Sequence, residues 1–346
     1  MKTAYIKAPF QVEFREVPLR ELKDNELLVR VELCGICGSD IHSARSQAVD
    51  WETFGHEVVG VVEKIGRSVV NVKVGDRVVL ESSTFCRTCD DCRNGDVYLC
   101  KDGPNNFFTE EPGGFSEYFI AAMEQAIPLD PAINPKHAAL VEPMGVAMDL
   151  FKVADIHLND DVLVIGLGAI GLMALRMAKL AGARNLYAAD IEAAGKRFEV
   201  ARAYGATELI RSDKVSLEAC PFPRGGVDRV LVTAPPWLIP TALKTLRFGG
   251  IAAYLGFGYG PRKDITIDAN EFHLRRLQLR ASYAAPALFF PRCLDLIRSG
   301  MIDCEPLITD VRPMDQLEAA IRNQAENIGG CIKTLMYNPC GKALIE

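Results

Sequence analysis

The sequence predicts an α/β protein with two domains, one rich in β-strands and one built on a doubly wound parallel sheet of six strands. Over the first 120 residues, short β-branched runs alternate with glycine turns, which is typical of a β-rich, barrel-like domain. From about Asp160, apolar strands alternate regularly with helical segments, which is typical of a parallel sheet covered by helices on both faces. A length of 346 residues is also more than one domain usually needs.

The β-rich part contains short predicted strands that are rich in valine and leucine, at 27–31, 58–63 and 76–80. A helical pattern then runs from 135 to 152. The regular strand–helix alternation that follows places the first domain boundary near residue 150. The first domain is therefore expected at 1–149.

The parallel sheet is predicted from six apolar runs, at 162–165, 186–189, 208–210, 229–233, 251–255 and 277–282. Helices between them are expected to begin near Ala169, Ala193 and Pro236. The remaining elements are two helices and a final strand, at 288–299, 314–326 and 331–337. These patterns predict a nucleotide-binding domain at 150–282, with a second domain boundary near 283.

Composition and charge exclude several classes of function. With a net charge of −6, the chain has no electrostatic footprint for nucleic acid, which would require a basic face. No run approaches the roughly 20 apolar residues of a membrane span. Residues 1–6 lead directly into strand-like sequence and lack the apolar core of a signal peptide. We therefore predict a cytoplasmic protein with neither a nucleic-acid nor a membrane partner.

Eleven cysteines are many for a cytoplasmic protein, in which clustered thiols indicate metal binding or catalysis rather than disulfides. Four of them follow the pattern Cys86-x-x-Cys89-x-x-Cys92-x(7)-Cys100. Four thiolates match the closed tetrahedral shell of a structural zinc ion. An iron–sulfur cluster can also use four cysteines, although nothing else in the sequence indicates electron transfer. We predict a structural zinc lobe at about 84–102.

A glycine motif follows the first strand of the predicted parallel sheet, as Gly166-x-Gly168-x-x-Gly171. The first glycine permits a tight turn, the second lets the backbone approach a pyrophosphate, and the third lets helix and strand pack closely. The free N–H groups at the start of the following helix, which begins with Ala169 and Ile170, would face the phosphates. The motif therefore predicts a dinucleotide site.

The second strand of this predicted domain ends at Asp190, 19 residues after Gly171. A carboxylate there can accept hydrogen bonds from the ribose hydroxyls of NAD and would repel a 2′-phosphate. The next residue, Ile191, offers no cation to such a phosphate. The sequence therefore predicts NAD rather than NADP, although Lys196 and Arg197 are cations close by in the sequence.

Six motifs are distributed over nearly the whole chain: Cys37-Gly38-Ser39-Asp40-Ile41-His42, Gly55-His56-Glu57, the four-cysteine lobe, Gly113-Gly114-Phe115-Ser116-Glu117-Tyr118, Glu142-Pro143 and the glycine motif. Together they resemble the zinc-containing medium-chain dehydrogenase family, in its sorbitol, polyol and threonine dehydrogenase-like branch. The resemblance implies a GroES-like catalytic domain that is interrupted by a Rossmann domain and resumes over 283–346. It also implies an active site in the cleft between the two domains.

The resemblance implies a catalytic zinc ion, the second zinc of each subunit, held by Cys37, His56 and Glu142. Alcohol dehydrogenases proper have a cysteine at the third position, whereas the sorbitol and related enzymes have a glutamate before proline. In some relatives the carboxylate after the histidine, here Glu57, also enters the zinc shell. An open site with three protein ligands and one exchangeable water agrees with these assignments.

The resemblance also implies a proton relay in which Ser39 contacts the alcohol and His42 delivers the proton to solvent. Ser39, His42 and Glu57 are therefore the candidate catalytic residues. The loop before His56 is shorter than in relatives, which would widen the substrate pocket. Arg45 and Trp51 could replace some of the missing surface, with simple packing as the alternative for Trp51.

The resemblance implies hydride transfer between NAD(H) and a secondary alcohol of a polyol, sugar acid or cyclitol, in a homodimer or homotetramer. Two alternatives stay open. One is an amino-alcohol dehydrogenase of the threonine type, which shares Glu142-Pro143. The other is a catalytically inactive, NAD-binding structural protein, which is disfavoured because the candidate zinc ligands and relay residues are all present.

Overall fold

A computed structural model of the chain describes residues 1–105, 111–258 and 262–344, which fold into two compact units. The first unit comprises Met1–Gly145, Ala284–Asn327 and Cys331–Glu346. The second unit comprises Val146–Tyr283 and Ile328–Gly330. Within the described residues, no helix is long and apolar enough to span a membrane.

The first unit is rich in β-structure, and its strands, numbered along the whole chain, are β1 (Lys2–Lys7), β2 (Gln11–Glu16), β3 (Glu26–Gly35), β4 (Glu52–Thr53), β5 (Glu57–Ile65), β6 (Arg77–Leu80), β7 (Tyr118–Ala122), β8 (Ala126–Pro128), β15 (Ile308–Pro313) and β16 (Lys333–Tyr337). Strands β2, β1 and β4 form a small antiparallel sheet in that order. The others form a larger sheet in the order β15-β16-β3-β5-β6-β8, with β7 also paired to β3. The predicted β-rich domain is confirmed.

Strand β3 lies at the centre of the larger sheet, where nine of its ten residues are buried and most of these are apolar. It pairs with β5, β7 and β16, so residues from distant parts of the chain meet along it. Leu27, Val29 and Val31 of this strand pack into a core with Phe115 and Phe119. The C-terminal end of β3 leads directly to Cys37, so the sheet fixes the starting point of that segment.

Short helices surround this sheet, namely α1 (Gly38–His42), α2 (Asp90–Asn94), α3 (Pro135–Ala138), the start of α4 (Val141–Ala154), α9 (Phe290–Arg298) and α10 (Leu317–Glu326). The helical pattern predicted over 135–152 corresponds to two separate helices, α3 and α4. Pro143 lies in the first turn of α4, where its missing N–H is tolerated. The same missing donor prevents Pro143 from continuing a helix from α3.

The second unit contains the six strands β9 (Asp161–Ile165), β10 (Asn185–Asp190), β11 (Glu208–Arg211), β12 (Val227–Val232), β13 (Leu246–Tyr254) and β14 (Gln278–Ala281). All their pairings are parallel, in the order β11-β10-β9-β12-β13-β14, so the predicted doubly wound six-stranded sheet is confirmed. Its helices are α5 (Ala169–Leu180), α6 (Gly195–Ala203), α7 (Ile239–Thr245) and α8 (Ala269–Leu274).

Strand β13 begins at Leu246, five residues before the start that the sequence predicts. Gly249 and Gly250 lie within the strand, although glycine is uncommon inside strands. The pairing register with β12 shifts over the same stretch, and Gly249 has a φ of 74°. A bulge therefore absorbs the glycines without ending the strand.

Candidate metal and nucleotide sites

Cys37 lies at the N-terminal end of α1, immediately after the central strand of the first unit. Its backbone N–H donates to the Asp40 Oδ2 atom at 2.8 Å. The Asp40 side chain is buried, and this burial raises the pKa of its carboxyl. Asp40 therefore fixes the turn that presents the Cys37 sulfur.

His56 and Glu57 are buried at the start of β5, next to the end of β3. Gly55 has a φ of 93° and packs against the Phe115 ring, which makes the turn into His56 difficult for any other residue. Gly35 pairs with Glu57 across the strands, and a Cβ at Gly35 would lie 2.0 Å from the Glu57 Oε2 atom. The glycine thus makes room for the carboxylate inside the sheet.

One ligand atom from each of Cys37, His56 and Glu57 lies within 4.8 Å of the others. Sulfur, imidazole nitrogen and carboxylate oxygen are the donor atoms that zinc binds in proteins. Burial lowers the pKa of His56, but the charges of Cys37 and Glu142 outweigh burial and raise it well above its usual range. The negative charges around the His56 imidazole fit the binding of a divalent cation.

Glu142 lies in the first turn of α4 and is also buried, but it is outside that three-residue cluster. Its carboxylate accepts a hydrogen bond of 2.8 Å from the Ser82 hydroxyl. Burial raises the pKa of Glu142, and the charge of Glu57 adds to this effect, whereas His56 lowers it. Glu142 is therefore close enough to feel both residues electrostatically, and its role as a ligand stays a prediction.

Ser39 and His42 both lie on α1, three positions apart, so they share one face of this short helix. Ser39 is exposed and His42 is half-buried. Burial lowers the pKa of His42, and the neighbouring positive charge of Arg45 lowers it further. The imidazole is therefore neutral at pH 7, which is the form that can accept a proton.

The short loop before His56 places Trp51 and Arg45 in contacts within the first unit. The guanidinium of Arg15 lies 5.3 Å from the Trp51 ring centroid. Arg45 donates to the carbonyl oxygen of Ala325 at 3.4 Å. These contacts favour the packing interpretation for Trp51, because a cation already covers its ring.

The four cysteines of the predicted lobe lie with their sulfur atoms within 4.8 Å of one another. The Cys86 and Cys92 sulfurs are 3.9 Å apart, as are those of Cys89 and Cys100. A tetrahedral ion with Zn–S bonds of about 2.3 Å requires sulfur–sulfur distances of about 3.8 Å. The spacing therefore fits a single zinc ion and is too short for four thiolates shared among several iron atoms.

Local hydrogen bonds in this lobe favour the thiolate form of Cys86, although the pKa values of the Cys89 and Cys92 thiols are raised by burial and by the neighbouring sulfurs. The N–H groups of Thr88 and Cys89 donate to the Cys86 sulfur at 3.4 and 3.3 Å. Together with the Thr88 hydroxyl, they lower the pKa of Cys86 to about 6. Gly95, with a φ of 95°, ends helix α2 and lets the chain return toward Cys100.

In the second unit, the glycine motif forms the turn between β9 and α5. Gly166 has a φ of 96°, and Gly168 caps the helix. A Cβ at Gly171 would lie 2.0 Å from the Gly166 carbonyl oxygen, so helix and strand approach as closely as the sequence predicts. The N–H groups of the first helical turn, at Ala169 and Ile170, have no acceptor within the helix itself.

Asp190 lies at the C-terminal end of β10, beside this turn. Its two carboxylate oxygens accept hydrogen bonds of 2.8 Å from the N–H groups of Leu167 and Ile191. Arg197 lies 3.9 Å from the same carboxylate, so one of the two cations noted in the sequence does approach the site. The backbone bonds fix the Asp190 carboxylate beside the glycine turn, and its role as an acceptor for a ribose stays a prediction.

Three residues that shape the metal cluster gave no signal in the sequence, namely Gly35, Ser82 and Lys333. The Lys333 ammonium donates to both Glu57 oxygens at 2.6 and 2.7 Å, although 276 residues separate the two. Ser82 reaches Glu142 across 60 residues. The pairing of β16, β3 and β5 brings Lys333 and Glu57 together.

Similarity to known proteins agrees with this geometry. The family model described as the alcohol dehydrogenase GroES-like domain matches residues 23–131, and the zinc-binding dehydrogenase model matches 169–299. Over 341 residues the chain is 30% identical to probable D-xylulose reductase A of Aspergillus clavatus, covering 94% of this chain and 93% of that protein. The chain belongs to the zinc-binding dehydrogenase family.

Other members of the zinc-binding dehydrogenase family are similar along their whole length. Sorbitol dehydrogenase of Bacillus subtilis is 27% identical over 349 residues, with 97% of each chain covered. A solved structure described as a short chain alcohol dehydrogenase of Escherichia coli CFT073, in complex with NADH, is 26% identical, with a TM-score of 0.88 and coverage of 97% and 99%. The present chain is therefore a zinc-dependent dehydrogenase that uses a nicotinamide cofactor.

Proposed function

We propose that this dehydrogenase interconverts a secondary alcohol of a polyol, sugar acid or cyclitol and the corresponding ketone, using NAD(H). The observation that carries the proposal is the convergence of the half-buried Cys37 with the buried His56 and Glu57 in one cluster of ligand atoms. The names of two relatives, a D-xylulose reductase and a sorbitol dehydrogenase, support a polyhydroxy substrate over an amino alcohol.

The catalytic zinc would be held by Cys37 and His56 together with a carboxylate, Glu57 or Glu142. A zinc ion in such a site supplies Lewis acidity, which makes an alcohol more acidic. Asp40 keeps the Cys37 turn in place, and Ser82 keeps the Glu142 carboxylate oriented. The protein thus fixes each donor before the metal binds, which lowers the reorganisation that binding requires.

Removal of the alcohol proton falls to Ser39 and His42 in this proposal. The neutral imidazole of His42 accepts the proton that leaves by way of the exposed Ser39 hydroxyl, and passes it to solvent. Because the pKa of His42 lies below its usual value, alcohol oxidation should persist at neutral pH and fall as the imidazole becomes protonated in more acidic solution.

Substitution of His42 by glutamine should therefore lower kcat for alcohol oxidation by about 10–100-fold at pH 7. The amide has similar size but cannot accept and release a proton. The substitution should also remove the acidic limb of the pH–rate profile that His42 produces. Steady-state kinetics across pH, with H137Q as a matched control at a histidine remote from α1, measures both effects. An unchanged pH profile in H42Q would exclude His42 from the relay.

NAD is proposed as the preferred cofactor because Asp190 presents a fixed carboxylate at the end of β10. Asp190→Ala removes the ribose acceptor and the charge that repels a 2′-phosphate, while Arg197 remains nearby. We expect kcat/KM for NAD to fall by about 10–100-fold and the preference over NADP to shrink or invert. Equal losses with both cofactors would contradict this role for Asp190.

The proposed substrate class is tested by following NAD reduction across polyols, aldonates, cyclitols and amino alcohols, with zinc measured on the same preparation. Activity on polyhydroxy secondary alcohols with two zinc ions per chain is the expected result. Oxidation of amino alcohols alone would move the enzyme to the threonine-type class. Absence of NAD reduction by every compound in a zinc-replete preparation would contradict the proposal.

We also propose a cytoplasmic homodimer or homotetramer. Strand β14 is an open edge of the second unit's sheet, and the exposed apolar side chain of Leu274 lies just before it. Such an edge can pair with a second copy of the chain. A mass equal to one 38.0 kDa chain in light scattering would contradict the oligomer.

A further inference from the structure

The ion pair between Lys333 and Glu57 lies inside the metal cluster. The ammonium donates to both Glu57 carboxylate oxygens, at 2.6 and 2.7 Å, and to the carbonyl oxygen of Ile36 at 2.9 Å. These three bonds use all three of its N–H donors. Both side chains are almost fully removed from solvent, with Lys333 at 4% and Glu57 at 0% exposure. The pair is therefore held rigidly from both sides.

The position of Lys333 is set by strand pairing. Leu335 of β16 pairs with Gly35 of β3, and Gly35 pairs with Glu57 of β5. Lys333 lies two residues earlier in β16, and the missing side chain of Gly35 leaves the space in which the carboxylate and ammonium meet. Because three strands fix this arrangement, the ammonium cannot move far from the cluster.

A fixed positive charge beside a cluster of metal ligands has two opposite effects. It neutralises the Glu57 carboxylate when no metal is present, so that the buried charge is not left unpaired. It also repels a divalent cation and occupies lone pairs of Glu57, which is one of the three clustered ligand residues. The same side chain thus stabilises the empty pocket and weakens its hold on the metal.

We infer that Lys333 is a positioning residue. Its ammonium group holds the Glu57 side chain in place when the pocket contains no metal, and it competes with zinc for the Glu57 carboxylate. The inference rests on the proposed metal site at Cys37, His56 and Glu57. It predicts a pocket that stays folded before it receives zinc and that exchanges zinc faster than its ligands alone would allow. A purely structural lysine would do the reverse, since its loss would loosen the metal.

The test compares Lys333→Met with Lys333→Arg, which keeps the charge, and with Lys73→Met, which removes an exposed lysine of the same unit. Zinc transfer from each holoenzyme to a chromogenic chelator is followed over time. The four-cysteine zinc provides an internal reference phase, and Cys37→Ser identifies the phase of the other ion. K333M should release that ion at least about tenfold more slowly than the wild type, whereas K333R and K73M should release it at the wild-type rate within about threefold.

The melting temperature of each metal-free protein completes the test. Metal-free K333M should melt several degrees lower than the wild type and recover on addition of zinc. Release of zinc from K333M at the wild-type rate or faster would overturn the inference, as would a K333M chain that stays unfolded at saturating zinc. In a Glu57→Gln background, K333M should slow zinc release less than it does in the wild type, because only the direct repulsion between ammonium and zinc is then removed and no shared carboxylate is left to compete for. A wild-type chain with only the four-cysteine zinc would instead refute the proposed metal site.

Discussion

Replacement of Cys37 by alanine is expected to lower kcat/KM by at least about 10⁴-fold. The thiol lies at the start of α1 with its ligand atom within 4.8 Å of those of His56 and Glu57. Without it, an imidazole and carboxylates remain, and they lack the sulfur donor that gives this site its affinity for zinc. The Lewis acid should therefore be lost, together with one zinc equivalent per chain.

NADH binding should survive the same substitution, because the glycine motif and Asp190 belong to the second unit. Fluorescence titration with NADH should give a dissociation constant within about threefold of the wild-type value. Cys220→Ala, at a thiol outside both groups of candidate metal ligands, is the matched control and should keep both activity and zinc. A C37A enzyme that retains two zinc ions and substantial turnover would refute the metal site.

Replacement of Cys89 by alanine is expected to act on stability rather than on chemistry. The lobe around α2 has no buried residue in that helix, so the four sulfur atoms and their ion hold it together. Loss of one ligand should cost at least about 3 kcal/mol of the stabilisation that structural zinc provides, which corresponds to a fall of roughly 6–12 °C in Tm. Residual folded enzyme should turn over substrate at close to the wild-type rate.

Calorimetry, zinc analysis and kinetics on the same C89A preparation separate these effects. Cys220→Ala again serves as the control, since its loss should leave Tm unchanged within about 2 °C. An unchanged melting temperature with two zinc ions still bound would show that the lobe does not depend on the Cys89 thiolate. A full loss of kcat in folded, zinc-replete protein would assign Cys89 a catalytic role that the closed sulfur cluster does not suggest.

The features that the sequence predicted correctly depend on local patterns. The glycine motif between β9 and α5 is set by neighbouring residues, and the two central strands of the parallel sheet, β9 and β12, are buried along their whole length. The four-cysteine lobe is similarly local, since its ligands lie within 15 residues, from Cys86 to Cys100. Short-range spacing is enough to place such ligands because the turn chemistry fixes the loop.

The features that the sequence did not predict depend on contacts between distant segments. Lys333 reaches Glu57 only because β16, β3 and β5 pair in one register, and no periodicity in the sequence encodes that register. The hydroxyl of Ser82 likewise meets Glu142 only in the folded first unit. Local sequence also gave the wrong start for β13. Gly249 is a residue type that often marks a turn, but here it lies in a bulged strand.

The roles of Glu57 and Glu142 as zinc ligands also depend on contacts between distant segments. The family resemblance favoured Glu142 as third ligand, with Glu57 as an additional one. The fold clusters Glu57 with Cys37 and His56, yet it also pairs Glu57 with Lys333 and leaves Glu142 bonded to a neutral hydroxyl. Either carboxylate can therefore be the third protein ligand of the zinc ion. The Lys333 ammonium, which pairs with Glu57, influences which of the two binds.

X-ray diffraction from zinc-loaded crystals, collected on both sides of the zinc absorption edge, tests the metal assignment most directly. We expect two anomalous peaks per chain, one among the four cysteines of the lobe and one bonded to the Cys37 sulfur, a His56 ring nitrogen and a carboxylate oxygen of Glu57 or Glu142. A zinc-replete crystal with no peak shared by Cys37 and His56 would contradict the assignment.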